Sequence, residues 1–234
     1  MTERTDVTPC KQHDKIQKET DEDIKMTQYF ISIEEELQYE KKFYAEELKE
    51  EDWKYLKESG ELFLIHAFSH LLEVPLVDYE VFGDTNYHIK YSQFYLNLAV
   101  GLELLLKSIL LKRGVKINLS PERTIQIGYI IEKYLDKIFP RLSQNTLKEI
   151  KHTLEIINVK RNNIAHRSKR SYDHYAYEHR FSYITLYIYE EFFYGENPEL
   201  VKLLIRSIDR SKITTGFDFK QLRIKPKSLR KQIS

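Results

Sequence analysis

Residues Arg161-Asn162-Asn163-Ile164-Ala165-His166 bring a fixed cation, two amides and an imidazole together in one short run. Upstream of them Leu147, Ile150, Leu154 and Ile157 recur at three- and four-residue steps, the period of one buried helix face. The next position on that stripe is Arg161, followed by Ile164. An arginine on a core-facing stripe is costly unless paired, because it cannot shed its charge. The imidazole of His166 adds the side chain that titrates near neutrality. A fixed cation beside a proton carrier suits phosphate chemistry. Lys160, Arg161, Arg167, Lys169 and Arg170 fall in the stretch 160–170 without an acid among them. A helix C-terminus decorated with cations, which the helix dipole favours, is the structural alternative.

The elements that must position these residues read as helices. With 7 glycines and 6 prolines, the chain has too little turn chemistry for a strand-and-turn architecture. Its long stretches rich in Leu, Ile, Lys and Glu favour helix, so the expected class is all-α. Residues 1–24 are polar and aperiodic and read as a disordered arm. Residues 25–88 read as an acidic helical region, with a short apolar helix over 61–72 and a loop over 75–88. The core is expected to begin near Ile89 and to occupy 89–210. Tyr91 to Arg113 is a long, central helix that Gly114 ends as a C-cap. Ser120-Pro121-Glu122 carries the N-cap and first-turn proline of a helix running to about Phe139. Leu142 to His166 is the helix that carries the motif. A Tyr-rich helix spans Tyr172 to Tyr194, and a last helix runs from about Pro198 to Arg210. Residues 211–234 form a basic tail, with Lys212, Lys220, Arg223, Lys225, Lys227, Arg230 and Lys231 against Asp218 alone. The segment 31–60 holds ten acids and five bases. The two ends can attract each other, or the tail can bind an acidic polymer.

A chain of 234 residues with 41 % hydrophobic and 31 % charged residues is ordinary for a globular protein. Its net charge of +1 names no partner. Cys10 is the single cysteine, so an internal disulfide and a cysteine metal site are excluded, and a cytoplasmic setting is expected. The apolar run Tyr95 to Leu111 is interrupted by Glu103 and Lys107, as in a core helix rather than a membrane span. There is no phosphate-binding glycine loop, no G-x-S-x-G and no zinc-finger spacing.

Arg161-Asn162-x-x-x-His166 at a helix end resembles the signature of HEPN domains, an arginine and a histidine separated by four to six residues. The run from Leu102 through Glu103, Lys107 and Leu111 resembles that family's central helix, and the likeness covers roughly residues 89–194. The resemblance implies a bundle of four to five helices, here with additional N-terminal helices, that pairs into a homodimer. In catalytic members two motif copies share one cleft and cleave RNA without metal or other cofactor. It implies catalytic roles for Arg161, His166 and Asn162, and RNA guidance by Lys160, Arg167, Lys169 and Arg170. Glu103 is a plausible partner that holds the Arg161 guanidinium, the alternative being a polar notch on a mostly buried helix. The implied setting is a toxin or an abortive-infection, antiviral-defence effector, with an antitoxin or other regulatory partner protein. Toxins paired with nucleotidyltransferase antitoxins typically carry a tyrosine two residues after the histidine. Here that position is Ser168, with Tyr172 the nearest tyrosine, so the chain departs from that subgroup. Non-catalytic members serve as dimerisation or binding modules, which is the alternative.

RNA cleavage by its own 2′-hydroxyl needs a base, an acid for the leaving oxygen, and positive charge at the phosphate. Histidine suits the proton transfers, and arginine offers a bidentate cation. Residues five apart on a helix lie ~140° apart around it and ~7.5 Å along it. Either the helix ends around Asn163, or a partner subunit supplies the complementary group. Elsewhere, His66 and His70 have a spacing that can bind metal, with Glu73 as a third ligand, or they simply pack. His174 and His179 line an RNA groove or are surface polar positions. The tyrosines of 172–194 stack on bases or belong to the core or a dimer interface.

Overall fold

The computed structural model describes residues 48–73, 85–120, 123–167, 178–215 and 222–229, with the backbone alone at 85–88, 120, 166–167, 178–179 and 213–215. The chain divides into two units, Met1–Glu47 with Ser120–Arg123 and Leu48–Leu119 with Thr124–Ser234. The expected arm 1–24 lies outside the described residues.

The fold is all-α. Its helices are α1 (Trp53–Glu73), α2 (Thr85–Lys112), α3 (Ile127–Lys133), α4 (Leu135–Ile138), α5 (Gln144–Arg167), α6 (Glu178–Phe193) and α7 (Pro198–Thr215). Among the described residues the strands are β1 (Asn118–Ser120) and β2 (Arg123–Thr124), a two-stranded sheet. Helix α2 is central, as its nearly all-round apolar pattern predicts: Tyr91, Phe94, Leu98, Leu102, Leu105 and Leu106 are buried. It packs on α1, α3, α4, α5 and α6. The stretch Ile89–Lys112 is long and apolar enough to cross a membrane, and most of it is buried against these neighbours.

Helix α1 is the most extensive partner of α2. The pair runs antiparallel, with Gly60 opposite Gly101 and Leu105, and Glu73 3.5 Å from Lys90 towards the other end. Glycines at the crossing let the two backbones approach closely. Leu64, Ala67, Phe68 and Leu71 of α1 are buried in the same core. The expectation of a core starting near Ile89 is therefore corrected, and the helix expected over 61–72 begins at Trp53. Charged residues on the outer side of α1 obscure an inner stripe of small and apolar residues.

Helix α6 is enclosed more completely than its sequence suggests. Every residue from Phe181 to Glu190 is buried. Helix α7 covers one side of it. Leu222, Ile224 and Leu229 belong to the same core, and the Tyr183 hydroxyl donates to the Ile224 carbonyl at 2.9 Å. The region expected as a basic tail is thus partly packed: residues 211–215 complete α7 and 222–229 form a strap on the bundle. Its apolar residues alternate with its cations, which hides the strap in a charge count.

The connection after α2 also departs from expectation. Gly114 does end the helix, at φ +70°, with the Val115 amide donating to the Leu110 carbonyl at 2.9 Å. Ser120-Pro121-Glu122, however, does not open a helix. Ser120 closes β1, Pro121 and Glu122 lie outside the described residues, and α3 starts only at Ile127. The Ile125 amide donates to the Ile117 carbonyl at 2.9 Å, and both isoleucines are buried. Burying that pair holds the segment extended against its local helix-start signal.

Candidate functional site

Helix α5 carries the motif. Ser143 precedes it and its hydroxyl lies 3.3 Å from the Thr146 amide, a local N-cap. Ile150, Leu154 and Ile157 are fully buried, as their spacing predicts. At Arg161 the stripe reaches the edge of the core. Arg161 and Ile164 are half-buried, and Ile164 packs against the apolar cluster. The Arg161 guanidinium donates through Nη1 to Asn162 Oδ1 at 3.2 Å. No carboxylate of the described residues pairs with it.

Glu103 does not hold Arg161. One of its oxygens accepts from Lys107 Nζ at 2.6 Å, and the other accepts from the Ile127 amide at 3.1 Å. Ile127 is the first residue of α3, and Gln126 before it provides no side-chain cap. The carboxylate therefore caps α3 from a neighbouring helix, satisfying an amide that the helix itself leaves unpaired. Lys107 also donates to Thr124 Oγ1 at 2.8 Å, which ties the connection to α2.

The helix continues to Arg167 and does not end around Asn163. Positions 161 and 166 consequently lie ~140° apart around the axis of one continuous helix. Lys160 reaches inward, its ammonium 5.0 Å from the centre of the buried Tyr95 ring. The side chains of His166 and Arg167 are not described, and Ser168, Lys169, Arg170, Tyr172 and His174 lie outside the described residues. His179 is placed at the start of α6 by its backbone only.

The tyrosines of α6 are core residues. Tyr183 and Tyr189 are fully buried and Tyr187 nearly so, which removes them as base-stacking surfaces, whereas Tyr194 just past the helix end is exposed. His66 is exposed and His70 half-buried on α1. Among the described residues no three His, Cys, Asp or Glu side chains converge as metal ligands.

Reasoning from the sequence missed a second polar cluster. Glu61, buried on α1, accepts from the Tyr189 hydroxyl at 2.5 Å and from Asn197 Nδ2 at 3.2 Å. Lys57, one turn earlier, lies 3.1 Å from Glu61 and 2.8 Å from Glu196. Burial alone would lower the Lys57 ammonium, but its bonds to Glu196 and Glu61 outweigh that and raise it above the ordinary lysine value. Burial, then the bond to Glu61, pushes the Tyr189 phenol far upward. Burial pushes Tyr183 up to about 12. The signals in the sequence were Glu61 within an apolar helix and its four-residue spacing from Lys57.

These two tyrosines predict an alkaline limit to stability. An unfolded tyrosine ionises near 10, and the folded state holds both neutral beyond that. Their contribution is fully present below pH 10 and is lost as pH rises through the folded values, because the unfolded chain then releases protons that the folded chain keeps. The melting temperature is expected to fall steeply above pH 10, and the Tyr183→Phe/Tyr189→Phe double variant to fall less steeply from a lower plateau. An equal alkaline slope in the two proteins would count against this assignment.

No family model, curated protein or solved structure matches the chain.

Proposed function

We propose that this chain is a metal-independent endoribonuclease of HEPN type, with a composite active site formed by two copies of α5 in a homodimer. The observation that carries the reading is Arg161: a guanidinium at the edge of the core, oriented by Asn162 and free of any described carboxylate. Such a group is available to a phosphate oxygen. The uninterrupted helix supports the dimeric site, since Arg161 of one copy then works with His166 of the other. A symmetric pair also supplies two imidazoles, one to take the 2′-hydroxyl proton and one to protonate the leaving 5′-oxygen. The 2′-oxygen attacks phosphorus as the bond to the 5′-oxygen breaks, leaving a 2′,3′-cyclic phosphate. A role as a toxin or antiviral abortive-infection effector, and a regulatory partner protein, follow from the family resemblance alone.

The test is to incubate the purified full chain with mixed total RNA in excess chelator. The expected result is cleavage that leaves 2′,3′-cyclic phosphate ends. Intact RNA under these conditions would overturn the enzymatic reading in favour of a non-catalytic HEPN-like dimerisation, nucleotide-binding or partner-binding module.

A further inference from the structure

A pocket of about 390 Å³ opens between the end of α6, the first turns of α7 and the strap, away from the α5 motif. This volume lies in the range of small-molecule sites, ~300–1,000 Å³. Val201 and Ile205 on one face of α7, with Pro198 and Tyr194, make its walls apolar. Lys202 and Arg206, one helical turn apart, line it as well; both are exposed, and no carboxylate of the described residues pairs with either. On the strap side Lys227 lies 5.2 Å from the Tyr194 ring centre and donates to the Glu190 carbonyl at 3.0 Å.

Two polar groups mark the strap side of the pocket. The Glu190 carboxylate is buried, and both of its oxygens face the Ser228 amide, at 3.3 and 3.1 Å. The Ser228 hydroxyl oxygen, by contrast, is buried without a hydrogen-bond partner, and Ser228 lines the pocket. Among the described residues that line the pocket, the cations Lys202 and Arg206 outnumber the one acid, Glu190.

We propose that this pocket binds a small organic anion with a flat apolar body. The body lies between Val201, Ile205 and Tyr194, and the anionic group meets Lys202 and Arg206. The inference does not depend on the ribonuclease reading, because no residue of the α5 motif takes part.

Anilinonaphthalene sulfonate is a suitable probe, joining a flat apolar body to an anion. Titration calorimetry with the full chain is expected to show saturable binding of one probe per chain. Ile205→Trp fills the pocket and is expected to abolish binding. The Lys202→Glu/Arg206→Glu variant keeps the walls and is expected to weaken binding by about tenfold or more, and Arg161→Ala to leave it unchanged. Should Ile205→Trp fail to fold, the charge-reversal variant, whose substitutions are on exposed side chains, carries the test. Absence of saturable binding, binding that survives Ile205→Trp in a folded protein, or equal affinity after charge reversal would each overturn the proposal.

Discussion

Replacing His166 by alanine is expected to lower RNA cleavage by ~10²–10⁴-fold, the usual contribution of a positioned general acid or base. The fold should survive. Position 166 lies in the last turn of α5, and alanine is the best helix former. Arg161→Ala is expected to be comparably inactive, and it too should fold. Glu103 is committed to Lys107 and the Ile127 amide, so removing Arg161 strands no buried carboxylate. Arg161→Lys retains the charge but not the planar fork, and restores little activity if the guanidinium grips phosphate at two points. The proposed composite site predicts a concentration dependence: activity per chain should drop on dilution below the dimer dissociation constant. Full activity of either alanine variant, or of the dilute monomer, would sink the assignment. The readouts are initial cleavage rates, melting temperatures and sedimentation at the same concentrations.

Gly101→Val is expected to be the most damaging single substitution in the core described here, costing about 3 kcal/mol or more, the upper end of overpacking effects. A Cβ at this position would come within 2.8 Å of Leu64 Cγ and Cδ2 and 3.0 Å of the Gly60 carbonyl oxygen. That carbonyl belongs to the backbone of α1, so relief requires the helices to separate along the most extensive packing in the fold. Gly101→Ala meets the same first contact but gains about 1 kcal/mol of helix propensity, and should be milder. Gly195→Ala makes a useful contrast. It has open space around it, and only its φ of +81° opposes a side chain, at ~1–2 kcal/mol. Equilibrium urea unfolding of the three variants ranks them. Native-like stability of Gly101→Val would mean that α1 and α2 do not approach as closely as these contacts require.

Much of the fold was legible in local pattern. The spacing of Ile150, Leu154 and Ile157 identified the buried face of α5, and the glycine after Arg113 marked the end of α2. Both follow from short-range rules, the helical period and the cheapness of a left-handed glycine. The candidate site was legible only in part. Arg161 at the edge of its stripe could be read from spacing, but its partner could not: Glu103 was the plausible acid, and the structure gives Arg161 the adjacent Asn162 instead. The Tyr-rich segment likewise carried no sign of whether its rings faced solvent or core.

By itself the sequence determined the all-α class, the long helix α2 and its end at Gly114, and which side of α5 is buried, because propensity and periodicity act over a few residues. It also placed a fixed cation and an imidazole near the end of one helix. Tertiary structure alone decided which polar groups meet. Glu61 finds Tyr189 from 128 positions away, Glu103 caps a helix 24 residues on, and the strap brings Ser228 against Glu190 across 38. A buried polar group must be satisfied by whatever the packed helices bring within about 3 Å. That choice depends on how the helices pack against one another, which no local stretch of sequence encodes.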